Sequence, residues 1–125
     1  MENKTKYFDS SLFANRRTIE KTFEKDSVLR KREFSLCGGQ RGCLFYFDGM
    51  VNVELVNETI LRPLMLADPI NSEEDISDYV MDKILYSGEI KQTSLFDDAM
   101  SSMMYGDTLL LFEGNKKPPQ TTRPH

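Results

Sequence analysis

The sequence predicts a mixed α/β domain of the α+β kind, with a small sheet of about four strands covered by about four helices. Three observations point there. Two short runs, Cys43–Phe47 and Thr108–Phe112, are apolar almost without interruption, as in strands buried on both faces. Several longer stretches instead carry apolar residues three, four and seven apart, the spacing of a one-sided helix. Glycine and Asp-Gly pairs fall between these stretches, where a chain turns.

The first ten residues are polar and are expected to be flexible. A helix follows over about Ser11–Glu24: Leu12, Ile19 and Phe23 share one face, and Ser11 suits its N-cap. Val28–Leu36 reads as a strand with Val28, Phe34 and Leu36 on one side. Arg30 and Arg32 fall on that same side, as residues at a sheet edge or facing a pocket would. Cys37–Gly42 supplies a glycine-rich turn into the strand Cys43–Phe47, so the two strands form a hairpin. Asp48-Gly49 turns the chain again. The next helix spans about Val53–Met65, with Asn52 as its cap and Val53, Val56, Ile60 and Leu64 as its stripe; Pro63 is expected to kink or end it. Ser72-x-x-Asp75 resembles a capping box for a helix running to about Tyr86. Glu89–Thr93 reads as a short strand. A further helix ends at Gly106, with Phe96, Met100 and Met103 inward and Met104 off the stripe. Asp107–Glu113 is the last predicted strand. Asn115–His125 holds three prolines and no apolar anchor, and reads as a disordered linker. The predicted organisation is thus 1–10 flexible, 11–114 folded and 115–125 tail.

A chain of 125 residues fits one domain and buries enough surface to fold without staples. Its net charge of −4 disfavours nucleic acid as a partner, because a phosphate backbone needs a basic face. The basic residues between Arg16 and Arg32 are interleaved with Glu20, Glu24 and Asp26. They read as a solvated face with local ion pairs, or as a docking surface for an acidic partner or anionic lipid. No apolar run approaches the roughly 18 residues of a membrane span, and the N-terminus lacks a signal-peptide pattern. Cys37 and Cys43 flank a tight glycine turn that could bring them together; in a reducing compartment they are expected to be free thiols. The lone His125 rules out the familiar histidine-dependent triads, no phosphate-binding glycine loop is present, and no metal or cofactor is expected. The chain does not read as an enzyme.

The candidate ligand-binding residues are Tyr46, Asp48, Gly49 and Asn52. Tyr46 and Asp48 sit two apart and share a strand face, and Asp48 precedes a helix start that suits a ligand carboxylate. The same Asp-Gly pair is also what a plain turn requires.

Three stretches together resemble the start of spore germinant receptor A subunits of the GerA family. They are LRKREFSL (29–36), LFYFDGMVNVELVNETILRPLM (44–65) and YGDTLLLFEG (105–114). The second is similar to the family's pattern of an apolar strand, a Tyr-x-Asp-Gly turn and a helix ending in Ile-Leu-x-Pro-Leu. The resemblance implies the first subdomain of a soluble N-terminal region, on the cytosolic side of the spore inner membrane. It implies partners in the receptor's B and C subunits and in further A subunits, with membrane association only through the parent protein. The family's second subdomain, with its Gly-Pro-Arg-Glu segment, and its membrane helices are not found in these residues. Two roles follow as expectations: receptor assembly with nutrient-triggered signalling, or direct binding of a small germinant such as an amino acid, sugar or nucleoside.

Overall fold

The structure, a computed structural model, describes residues 7–9, 11–24, 28–36, 39–67, 76–80, 89–114 and 119–123. Its centre is the pair of apolar runs. β2 (Arg41–Phe47) and β4 (Thr108–Phe112) lie side by side and antiparallel, with Phe45 opposite Leu109 and Cys43 opposite Leu111. Consecutive residues of a strand face opposite ways, so an unbroken apolar strand needs cover on both sides. One face carries Leu44, Tyr46, Leu110 and Phe112; the other carries Cys43, Phe45, Phe47, Leu109 and Leu111.

Helices cover the two faces. Against Phe45 and Leu111 pack α1 (Leu12–Thr22), through Leu12 and Ile19, and α5 (Phe96–Met104), through Phe96, Ala99, Met100 and Met103. The Ser11 hydroxyl caps α1 by accepting from the Ala14 N–H at 3.2 Å, as its sequence position predicted. Against Leu44 and Leu110 pack α2 (Val53–Val56), the π-helical turn Asn57–Leu61 that follows it, α3 (Arg62–Leu66) and α4 (Ile76–Tyr79). Pro63 does not end its helix. It stands in the first turn of α3, directly after the π-helical turn, where the Arg62 N–H reaches back five residues to the Asn57 carbonyl. Widening the backbone there makes room for a ring that would otherwise strike the preceding turn. Of the helix expected to run to Tyr86, the described part is Ile76–Tyr79; the rest lies outside the described residues.

Among the described residues the sheet has five strands, in the order β1-β2-β4-β5-β3, with every neighbouring pair antiparallel. β1 (Leu29–Ser35) forms the expected hairpin with β2 and is an edge strand. Its out-of-pattern cations occupy that edge: Arg30 pairs with Asp48 at 3.1 Å and Arg32 donates to Asn57 at 3.5 Å. β3 (Glu89–Gln92) is the opposite edge.

β5 (Gln120–Arg123) corrects the expectation of a disordered tail. It lies between β4 and β3, pairing Leu110 with Gln120 and Ile90 with Thr122, and Gln120, Thr121 and Thr122 are buried. The polar composition that suggested a linker is tolerated because two ladders satisfy the backbone of β5. The flexible N-terminus is corrected at residues 7–9. The Phe8 N–H donates to the Ser94 carbonyl at 3.1 Å, its ring packs on Phe96, and the buried Asn15 side chain clasps the backbone of Asp9 at 2.7 and 2.9 Å. Residues 1–6, 115–118 and 124–125 lie outside the described residues.

Gly42 is needed for space. A Cβ there would stand 2.6 and 2.7 Å from two ring carbons of Phe34 and 3.1 Å from the Leu111 carbonyl oxygen. The Phe34 ring is itself held edge-on against Phe112 at 5.9 Å. Gly42→Ala is therefore expected to cost about 1–3 kcal/mol, as other overpacked sites do, read as a lower midpoint in urea unfolding.

Candidate functional site

The four residues singled out by sequence lie at one end of the sheet, where β2 leaves for α2. Tyr46 is buried at 6 % exposure among Leu44, Val56 and Leu110, so its ring belongs to the core. Asp48 is exposed, and its carboxylate pairs with Arg30. Its N–H donates to the Val28 carbonyl at 2.7 Å, which closes the end of the β1–β2 ladder. Gly49 adopts φ +84°, a conformation costly for residues with a Cβ. The Asn52 side chain accepts from the Leu55 N–H at 3.2 Å and so caps α2. The structure thus brings Asp48 together with Arg30. It does not bring Tyr46 into an open pocket with Asp48, and Asp48, Gly49 and Asn52 each hold local backbone.

What surrounds this turn is apolar and exposed. Met50 and Val53 follow it, and Val28 precedes it across the ladder. The turn after α5 abuts it: a Cβ on Gly106 would come 2.9 Å from the Met50 carbonyl oxygen. That second turn presents Met104, 65 % exposed, and Tyr105, 78 % exposed. Arg123 of β5 anchors its backbone, donating to the buried carboxylate of Asp107 at 2.9 Å and to the Tyr105 carbonyl at 3.2 Å. Sequence reading placed Met104 off the helical stripe but gave no sign that the turn after it, at Gly106, would abut the backbone of Met50.

A cleft of about 550 Å³ opens at the opposite end of the sheet, beside the N-terminal turn of α1. Leu12, Phe13, Ser35 and Gly42 are among its lining, and the ring of Phe13 is exposed. Arg16, Glu33, Arg41 and Glu113 form its rim. Arg16 is already engaged by Glu33, and Glu20 lies 3.7 Å from its Nε. This rim was invisible to sequence reading, since its members come from α1, β1, β2 and the end of β4.

Cys43, at the centre of the sheet, is buried. Desolvation, reinforced by Glu33, pushes its thiol up to about 12, so it stays protonated and unreactive at neutral pH. Cys37 lies outside the described residues. Among the described residues, no three His, Cys, Asp or Glu side chains gather as a metal site would require, and no helix is long and apolar enough to cross a membrane.

Comparison with known proteins adds two findings. A search of curated protein sequences gives no match. Among solved structures, the N-terminal domain of the A subunit of the Bacillus megaterium spore germinant receptor GerK3 is similar, with a TM-score of 0.80 at 20 % identity. The likeness covers 98 % of this chain and 49 % of that one, so this chain spans about half of the matched domain. At that identity the likeness speaks for the fold: the α+β architecture seen here is that of the GerK3 domain. The model of the Bacillus/Clostridium GerA spore germination proteins matches residues 17–120, from α1 through the first residue of β5. On a match of that extent, the chain belongs to the GerA spore germination family.

Proposed function

We propose that this domain is the N-terminal subdomain of a germinant receptor A subunit and acts mainly through protein contacts, in receptor assembly and nutrient-triggered signalling. Family membership and the GerK3 likeness supply the receptor context. One observation carries the contact role: the exposed apolar cluster of Met50, Val53, Met104 and Tyr105, set on two abutting turns beside Asp48. Clustered exposed apolar side chains on a folded domain mark interaction surfaces far more often than scattered ones do. Methionine repacks readily, and tyrosine is enriched where proteins meet. The partners in this reading are the receptor's B and C subunits or further A subunits, at the cytosolic side of the spore inner membrane.

The test separates contact from folding. Tyr105→Ser and Met104→Ser remove exposed side chains, so each should change domain stability by only about 0.5 kcal/mol. In the full receptor both are expected to lower the abundance of the A subunit or its recovery with the other subunits. Asp48→Asn breaks the pairing with Arg30 and is expected to act the same way. If Asp48→Asn instead shifts the nutrient concentration needed for germination while receptor abundance stays normal, sensing at this turn gains. Normal abundance, recovery and germination in all three variants would exclude this end of the domain. The second reading, direct binding of a small nutrient, is favoured by the cleft beside α1.

A further inference from the structure

We propose that the outer edge of β1 takes up an extended acidic segment of a partner polypeptide as an added strand, with a groove between β1 and α3 receiving that segment's side chains. This rests on the reading that the domain acts through protein contacts, and it adds a surface separate from the Met50–Tyr105 end. β1 stands at the margin of the sheet and pairs with β2 on one side only. Its other side is open, with Arg30, Lys31, Arg32, Glu33 and Ser35 exposed.

The backbone phase of that edge is fixed. The Val28 carbonyl accepts from the Asp48 N–H at 2.7 Å, and the Leu36 N–H donates to the Gln40 carbonyl at 2.7 Å. Arg30, Arg32 and Phe34 therefore bond to β2, while Leu29, Lys31, Glu33 and Ser35 turn their N–H and C=O groups outward. Among the described residues those outward N–H groups meet no acceptor, and the outward carbonyls receive only a 3.4 Å bond from the Arg30 guanidinium to Leu29. Such a row of unpaired groups is a template for another strand. A second copy of β1 fits it poorly, because antiparallel registers centred on Lys31, Arg32 or Glu33 each set that charge against itself. An acidic strand fits well, since Arg30, Lys31 and Arg32 run consecutively along the edge. Arg30 and Lys31 are held by Asp48 and Glu20, but Arg32 has no carboxylate partner among the described residues and reaches only Asn57, at 3.5 Å.

Arg32 opens onto a groove of about 370 Å³ whose other walls are Asn57, Leu61, Arg62, Met65 and Leu66. Met65 and Leu66, at the end of α3, are exposed apolar side chains. Arg62 pairs with Glu58 one turn away at 3.3 Å, and both are about two-thirds exposed, a pairing worth little in water and readily exchanged. The groove thus offers apolar surface together with two guanidinium groups. On an added strand, residues opposite Arg30, Arg32 and Phe34 share the face of Arg32, the face on which α2 and α3 lie. A carboxylate opposite Arg32 would meet its guanidinium, and apolar residues two places away would lie toward Leu61, Met65 and Leu66. In strand addition the main-chain bonds supply affinity, and pockets for alternate side chains supply selection.

The probe is an end-capped peptide of seven residues, the length of β1, with the sequence Glu-Leu-Thr-Glu-Thr-Leu-Glu, added to the isotopically labelled 125-residue chain. In the antiparallel register its central carboxylate falls opposite Arg32 and its leucines opposite Arg30 and Phe34. The expected result is saturable amide shifts over Leu29–Ser35 and Asn57–Leu66 by about 5 mM peptide. Exchange of the Lys31 and Glu33 amides should slow about tenfold with peptide at about ten times its Kd, while Arg30 and Arg32, already bonded to β2, change little. The counterpart Lys-Leu-Thr-Lys-Thr-Leu-Lys, and a form of the acidic peptide N-methylated at both threonines, should each bind about tenfold more weakly. Arg32→Glu, at an exposed position, should weaken the acidic peptide by about tenfold and strengthen the lysine one. Equal binding of the N-methylated form would overturn strand addition. Equal binding of the lysine peptide, or unchanged affinity in Arg32→Glu, would overturn the acidic partner. Loss of peptide binding in Tyr105→Ser would overturn the location at β1, whereas normal peptide binding with normal receptor recovery in that variant would count against the Met50–Tyr105 contact alone. No saturable shift from the acidic peptide would overturn the proposal; cosedimentation with phosphatidylglycerol vesicles would then assign the edge to an anionic lipid surface, and concentration-dependent shifts of Leu29–Ser35 without peptide would assign it to a second copy.

Discussion

Removing residues 115–125 is expected to abolish cooperative unfolding, or to cost about 5 kcal/mol or more, the lower end of the whole stability of a typical domain. The deleted segment contains β5, the only strand among the described residues to which β3 is laddered and the strand that seals the open side of β4. Without it, Thr108, Leu109 and Leu110 lose the neighbour that covers them at 0 % exposure, and Ile90 loses its place against Thr122. Urea unfolding followed by circular dichroism, with the full chain as reference, checks this. Amide exchange in the intact chain offers a second readout, in which Gln120–Arg123 should be protected close to the global level. Equal urea midpoints for the two chains would show that β5 does not hold the sheet together.

Phe45→Ala is expected to destabilise the domain by about 3–5 kcal/mol, as for other buried phenylalanines. The ring is fully buried, opposite Leu109 in the central ladder and within the cluster of Ile19, Phe96 and Met103. No neighbour is poised to fill the space, because α1 and α5 both rest on this face. The control is Phe13→Ala, which removes an exposed ring of the same size and should shift the urea midpoint little. A loss in Phe45→Ala no larger than in the control would mean that the central strand is misassigned.

The sequence announced what was apolar and periodic. β2 and β4 stood out as unbroken apolar runs, α1 and α5 as stripes with good caps, and the hairpin as a glycine-rich turn between two strands. Asp48, Gly49 and Asn52 were legible as a turn and a cap, because short-range backbone chemistry is written locally. Three features were not legible, each for a physical reason. β5 reads Gln-Thr-Thr-Arg, with no apolar residue to announce burial, and gains its cover from the two strands that flank it. The π-helical turn before Pro63 is a backbone response to a ring, and no residue type encodes it. The charged cleft and the Met50–Tyr105 cluster are assembled from segments distant in sequence. They exist only once the folded arrangement of those segments is known.

The strand order also sets a timetable. β1, β2 and their hairpin can pair as soon as they are synthesised, since their contacts are local. β2 must then wait, with the edge meant for β4 unpaired, until the chain reaches Thr108. β3 waits as well, because its ladder partner is β5, about thirty residues further on. Pairings this far apart in sequence slow folding, and unpaired strand edges invite association in the meantime. The nascent domain therefore carries its exposed apolar strand, Cys43–Phe47, until Thr108–Phe112 emerges. A pause in translation before Thr108 would hold it in its most aggregation-prone form, and completion of β4 would release it.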